Sequence, residues 1–202
     1  MVKKAKRILL LIFLVAGVWF GGLLADKQQL REELLRLHVV ASSDSEADQA
    51  VKLQVRDAVL GSLQDGLEDL TDLQQAVDYV EEMIPKLKSV ADQVLEEAGF
   101  SDRVSISVDA EEFPVREYDT FTLPSGVYQA LRVVIGEGEG QNWWCVVFPK
   151  LCMSAASEEF REMSTFSDTL NDSLTGKYEI RFWLLDQLGR IENFFHNATE
   201  AS

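Results

Sequence analysis

The chain is predicted to be an α/β (α+β) two-layer sandwich, a mixed sheet with helices on one face, preceded by one N-terminal transmembrane or signal segment. Three observations predict it. Residues 45–99 carry apolar side chains at helical spacing, residues 104–148 alternate or cluster apolar side chains as strands do, and the chain opens with a basic cluster followed by an uncharged apolar run.

That opening run comes first. Lys3, Lys4, Lys6 and Arg7 precede Ile8 to Ala25, 18 residues without a charge. At helical rise the run spans about 27 Å, close to the thickness of a hydrocarbon core. It is longer than the apolar region of a typical cleaved signal peptide, and cleavage after Ala25 would put Leu23 where a small residue is preferred. An uncleaved anchor is favoured over a cleaved signal peptide, and both over a buried core helix. In either case the basic flank stays cytoplasmic and the body is exported. Residues 26–33 form a polar spacer, residues 34–152 the exported domain and residues 153–202 a C-terminal extension.

Leu34 to Ala41 reads as the first strand, being rich in β-branched and apolar residues. Ser45 and Asp48 suit a capping box, after which Val51, Val55, Ala58 and Val59 recur at helical spacing; Gly61 weakens that helix and Gly66 ends it. Thr71 and Gln74 suit a second capping box for a helix carrying Leu73, Ala76, Val77, Val80 and Ile84. Pro85 is expected to break, kink or restart it, and Gly99 to stop its continuation. Val104, Ile106 and Val108 alternate with polar residues, giving a half-buried strand that ends at Phe113-Pro114. Leu123-Pro124-Ser125-Gly126 marks a turn, and strands follow at Val127–Ile135 and Asn142–Phe148, joined by a Gly136–Gln141 loop that suits a hairpin. Residues 154–175 are polar. The segment from Tyr178 to Phe195 fits either a last strand or an amphipathic helix.

Charge and cysteines narrow the function. Of 34 acidic and 19 basic side chains only Lys3, Lys4, Lys6 and Arg7 precede residue 26, so the body carries a net charge of −19. Counterion release cannot favour nucleic acid with that balance, and an anionic membrane surface would repel it. Cys145 and Cys152 are the only cysteines. In an exported chain they are expected to pair, closing a short loop worth about 2.5 kcal/mol before strain, with Pro149 supplying a bend. A free buried thiol pair is the alternative. A metal site would need His38 or His196, neither near in sequence.

No catalytic, cofactor-binding or small-molecule constellation stands out. Gly136-Glu137-Gly138-Glu139-Gly140 enters a strand instead of opening a helix, and its two carboxylates would repel phosphate. Cys145 as a nucleophile with His38 as base is the one thiol-hydrolase reading available. Asn142, Trp143 and Trp144 are the better signal. Alternation puts Trp143, Cys145 and Val147 on one sheet face and Trp144, Val146 and Phe148 on the other, and both faces need cover. Either both indoles are core, or one marks a binding patch.

Several stretches carry a family resemblance: Arg36 to Ser45, Lys52 to Val59, Phe113-Pro114, Leu123 to Leu131 and, most specifically, the block from Ile135 through Asn142-Trp143-Trp144-Cys145 to Cys152. Across residues 34–152 the chain resembles stage II sporulation protein R of endospore-forming bacteria, with Lys150 where a second proline is expected. The resemblance implies a trigger, not an enzyme. It would be made in the forespore and exported into the space between the septal membranes. There it would activate the membrane-embedded aspartic protease of the mother cell that processes the pro-sigma-E precursor. It carries over no functional residue. The readings from other classes are a Cys145-dependent hydrolase and a cell-wall binding module using an exposed tryptophan.

Overall fold

The computed structural model describes residues 2–117, 122–149 and 179–200. The described elements are α1 (Val2–Glu33), β1 (Leu35–Val40), α2 (Glu46–Leu67), α3 (Leu73–Glu97), β2 (Val104–Phe113), β3 (Arg116–Glu117), β4 (Thr122–Leu123), β5 (Gly126–Ile135), β6 (Asn142–Phe148) and α4 (Glu179–Glu200). Cys152, the polar stretch 154–175 and Tyr178 lie outside the described residues.

The fold is α+β. Among the described residues the main sheet has the order β2-β5-β1-β6, with β1 parallel to β5 and the other pairs antiparallel. Leu35, Leu37 and Val39 of β1, Leu131, Val133 and Ile135 of β5, and Cys145 and Val147 of β6 form one cluster with the buried stripes of α2 and α3. The α2 stripe is Val51, Val55, Val59, Leu63 and Leu67, four residues apart each time, which keeps it on one face of the helix. These two helices cover one face of the sheet, as expected.

Local signals held in part. The side-chain oxygen of Ser45 accepts from the Asp48 amide at 3.1 Å, so the cap forms; Asp48 answers through the Ser43 and Ser45 hydroxyls instead of the Ser45 amide. The cap of α3 is Asp72, which accepts from the Gln75 amide at 3.0 Å, not Thr71. The helix α2 runs through Gly66, over which the Tyr79 ring sits so closely that a Cβ would meet it at 2.1 Å. Pro85 does not interrupt α3. It is exposed, as is Glu81, whose carbonyl loses the missing donor, so water can serve that oxygen while Val80, Leu87 and Ala91 carry the buried stripe past it. Gly99 does end the helix at φ 81°, its amide donating to Glu96 and that of Phe100 to Leu95.

Two expectations are overturned by long-range packing, and one choice left open, strand or helix for the last segment, is decided. The Gly136–Gln141 loop is not a hairpin, because β1 lies between β5 and β6. The loop crosses the end of β1, with the amides of Glu139 and Gly140 donating to the carbonyls of Ser42 and Ala41 at 3.2 and 2.9 Å. A side chain at 140 would stand 2.3 Å from the Ser43 carbonyl oxygen, while Gly136 and Gly138 take φ of 56° and 68°; the glycines serve this tight crossing. Phe148 joins the helix-side cluster instead of the face of Trp144, because a register shift between Leu35 and Arg36 breaks the alternation. The last element is a helix.

That helix, α4, packs against the start of β5 and the end of β2. Gly189 lets it approach Ser125, where a Cβ would meet the carbonyl oxygen at 1.5 Å. The Ser125 hydroxyl lies 2.6 Å from a carboxylate oxygen of Asp186 and Asn193 donates to the Phe113 carbonyl at 3.2 Å. Arg31, at the end of α1, pairs with Glu192 at 2.6 Å. Among the described residues no helix is long and apolar enough to cross a membrane, the side chains of Leu9 and Leu23 lying outside them. The membrane segment stays an expectation. What α1 does show is exposed apolar side chains from Ile8 to Phe20, Phe13 at 81%.

Burial alone would raise the carboxyl of Asp186, but the Ser125 hydroxyl, the Arg190 guanidinium and the Ser125 amide together hold it below the ordinary carboxylate range. A depressed folded-state value means stability that is complete above the ordinary range and is lost as pH falls through the folded value. Thermal melts of the full chain between about pH 7 and pH 3 should therefore show native protein losing more stability than Asp186→Asn. The two curves should draw together toward the acid end; parallel curves would mean that Asp186 does not couple α4 to the sheet.

Candidate functional site

The second face of the sheet carries a polar and aromatic cluster centred on His38. Strand alternation makes it: Leu35, Leu37 and Val39 turn to the helices, so Arg36 and His38 turn away. His38 is buried and its ring stacks on Trp144, with centroids 3.8 Å apart and planes 10° from parallel. Nδ1 of His38 lies 2.7 Å from Oε1 of Glu111, and Nε2 lies 2.8 Å from Oδ1 of Asn142. With both partners offering oxygen, the doubly protonated ring satisfies both contacts; with the Asn142 amide turned over, a neutral ring does so.

The cluster extends along the sheet. Phe113 meets Trp144 edge-on at 4.7 Å, and Tyr128 meets Phe113 in the same manner at 5.9 Å. Arg36 is fully buried, its guanidinium 3.9 Å from the centre of the Phe113 ring and 4.9 Å from that of Tyr128. Stacked on aromatic faces, a guanidinium recovers part of what burial takes from it. Arg132 approaches Glu111 at 3.6 Å, and Arg116 lies over Trp144 at 5.4 Å. His38 therefore links β6 to β2 across the sheet, through Asn142 at one end and Glu111 at the other.

The sequence-expected residues are divided between the two faces. Asn142 and Trp144 join His38. Trp143 is on the helix side, 37% exposed, with the Arg56 guanidinium 4.3 Å from its ring. Cys145 is buried in the helix-side cluster and is not a free thiol; Cys152 lies outside the described residues. The pairing of Cys145 as nucleophile with His38 as base fails on this geometry. In the register His38 faces Trp144 and Cys145 faces Leu37, so imidazole and sulfur are on opposite sides of the sheet. Among the described residues no group of His, Cys, Asp and Glu is placed to hold a metal.

Sequence reasoning missed Arg36, Glu111, Phe113 and Tyr128 as parts of this cluster. One signal was present: Leu35-Arg36-Leu37-His38-Val39 alternates large apolar with cationic residues, which gives one face of a central strand to Arg and His. Their partners come from strands that only the tertiary fold brings near.

Trp144 contributes to folding here and Trp143 does not need to. Trp144, half-buried and stacked on His38, should on replacement by Ala lower stability by up to about 3–5 kcal/mol, the cost of emptying a fully packed aromatic site. His38→Ala should lower it as well, leaving Glu111 facing an empty site. Trp143→Ala should change the denaturant midpoint little, since it removes an exposed ring and one cation–π contact worth about 0.5–1 kcal/mol. Equal losses for the two tryptophans would overturn this division.

Comparison with known proteins places the chain. A family model described as stage II sporulation protein R matches residues 31–158. The Stage II sporulation protein R of Bacillus subtilis (strain 168) is 32% identical over 159 residues, covering 74% of this chain and 71% of the relative. No solved structure matches. The chain belongs to the stage II sporulation protein R family.

Proposed function

We propose that this chain is an exported sporulation signalling protein. It activates the membrane-embedded aspartic protease of the mother cell, which processes the pro-sigma-E precursor across the septum. Family membership carries the reading. In it, the apolar run of α1 directs export from the forespore and holds the domain at the membrane of the intermembrane space. The exposed apolar side chains of α1 support that placement. The body acts by binding, not by chemistry, a reading supported by the separation of His38 from Cys145 across the sheet.

The contact surface is the exposed start of β6. Asn142 and Trp143 are exposed there, beside the crossing loop with Glu137 and Glu139. An exposed aromatic backed by an arginine is a strong anchor for a partner, and truncating one typically costs about 2 kcal/mol or more of binding. Co-expression of the exported chain with the protease and the sigma-factor precursor tests the whole reading. Native protein should give cleavage of the precursor. Trp143→Ala should abolish or sharply reduce cleavage while the unfolding midpoint stays near the native value. Cleavage unchanged in a stable Trp143→Ala chain would move the contact elsewhere, and no cleavage with native protein would overturn the activator reading. Retention of the chain on peptidoglycan instead would favour a cell-wall binding module.

The same reading includes a Cys145–Cys152 disulfide, formed once the domain leaves the cytoplasm. Cys145 is buried and not a free thiol, and Cys152 is the other cysteine of the chain. Mass spectrometry of exported, non-reduced protein should find the two joined within one chain. Two free thiols in freshly exported material would remove the disulfide from the proposal.

A further inference from the structure

Strand β2 is one end of the sheet, and among the described residues its outer edge has no strand beside it. Which backbone groups that edge offers follows from one hydrogen bond. The Gly136 amide donates to the Arg103 carbonyl at 3.0 Å, so Arg103 and Gly136 form a hydrogen-bonded pair at the start of the ladder with β5. In an antiparallel ladder bonded and non-bonded pairs alternate. The register runs unbroken from Val104 opposite Ile135 to Phe113 opposite Gly126, so Val104, Ile106, Val108 and Ala110 turn their amides and carbonyls outward. Helix α3 serves the first of them: the Val104 amide donates to Asp92 at 2.9 Å, and Lys88 donates to the Val104 carbonyl. From Ile106 to Ala110 the edge has no proline and no bulge, and no described side chain caps it. Edges are normally blunted by such devices, because open ladder groups call for a further strand.

A cleft of about 520 Å³ lies at this part of the strand. Val108 and Ala110 line it from β2, Gln74 and Glu81 from α3, and Gln28 and Glu32 from α1. Arg31 lines it too, with its charge held by Glu192 at 2.6 Å. Glu32, Glu81 and Asp109 are exposed there. A strand laid along the edge thus meets carboxylates, on a body whose net charge is −19. That field draws a cationic segment and repels an acidic one, a second copy of this chain included.

We propose that the outer edge of β2 takes an extended, cationic peptide segment of a partner protein as a further strand of the sheet. The outward amides and carbonyls of Ile106, Val108 and Ala110 pair with its backbone, and Glu32, Glu81 and Asp109 select its charge. The site is at the opposite end of the strand order from β6 and Trp143. It is therefore a second surface and does not rest on the activator reading.

Binding of a synthetic peptide tests it. The probe is a fluorescent heptapeptide of alternating Lys and Val with blocked ends, titrated with the full chain in neutral detergent and read by anisotropy. The same peptide with its backbone amides methylated keeps the charge and loses the ladder donors. An alternating Glu and Val peptide keeps the donors and reverses the charge. On the protein, Ala110→Pro deletes one outward amide without removing a bond to β5, since Ala110 is in a non-bonded pair. Glu81→Lys reverses one exposed charge. The Lys and Val peptide should bind the native chain. Methylation, reversal of the peptide's charge, Ala110→Pro and Glu81→Lys should each weaken binding by about tenfold or more, with both variants unfolding near the native midpoint. Equal binding of the methylated peptide would show attraction by charge alone and overturn strand addition. Equal binding of the Glu and Val peptide would overturn the cationic preference. No binding of the Lys and Val peptide to native protein overturns the proposal outright. That includes an edge already filled by a second copy, which a lower sedimenting mass for Ala110→Pro would reveal. If Ala110→Pro does not fold, the methylated peptide and Glu81→Lys decide the matter.

Discussion

The complete burial of β1 is the constraint on which the rest of this structure depends. Every residue from Leu34 to Ala41 is buried. A strand in that position needs a hydrogen-bonded neighbour along each edge and cover on each face. β5 supplies one edge and β6 the other, and because they are joined by a short segment, that segment must pass over the end of β1. The close approach of Gly140 to the Ser43 carbonyl, the left-handed glycines at 136 and 138 and the amides donated to Ala41 and Ser42 follow from the crossing. Lys52, buried on α2, donates to the Gln141 carbonyl at 2.9 Å and ties the helix layer to the same crossing. Burial lowers the affinity of that ammonium for its proton, partly countered by the nearby charge of Asp44 and reinforced by Arg56. A charged side chain held there is positioned by its oxygen partners, Gln49 and Gln141.

The same strand explains why the two sheet faces differ in chemistry. On the helix side its Leu and Val side chains meet two amphipathic helices, and the energetics are those of apolar burial. On the other side the strand buries two polar side chains, Arg36 and His38. Aromatic rings from β2 and β5 face the Arg36 guanidinium, the indole of β6 stacks on His38, and the carboxylate of Glu111 meets the imidazole. Such a cluster is sensitive to the loss of any member, because each removal strands a polar partner in a site of low dielectric. It gives the sheet a single registration: sliding β6 by one residue would replace Trp144 with Trp143 or Cys145 over His38 and leave the imidazole without its stacking partner and its Asn142 contact.

What the sequence disclosed was local. Helical stripes on α2 and α3, the Ser45 cap, the Gly99 stop and the alternation of β2 were all legible, since each is set by neighbours within a turn or two. Strand order was not. Two strands joined by a glycine-rich loop of six residues read as a hairpin, and nothing local reports a third strand inserted between them. The α4 segment was ambiguous because Ile180, Phe182 and Leu184 alternate as a strand would; the helix is selected by Gly189, which allows close contact with Ser125, and by Asp186 and Asn193 on the same face. Of the site, Asn142, Trp143 and Trp144 were visible as unusual residues, but the division of the two indoles into a half-buried, stacked ring and an exposed one came from His38 on one side and the helix layer on the other.

That division bears on how one dipeptide can serve both folding and recognition. A strand side chain is committed to its face by its position, so two adjacent tryptophans cannot both enter the same core. Trp144 faces a cluster that surrounds it with His38, Phe113 and Arg116. Trp143 faces the outer margin of the helix layer, where Arg56 of α2 covers part of one ring face and solvent reaches the remainder. The stacked ring fixes β6 against β1, and the exposed ring is thereby held on a rigid strand instead of a mobile loop. An anchor presented on rigid backbone loses little conformational entropy when a partner covers it, so in the proposed contact the stacked tryptophan would contribute to binding by immobilising the exposed one.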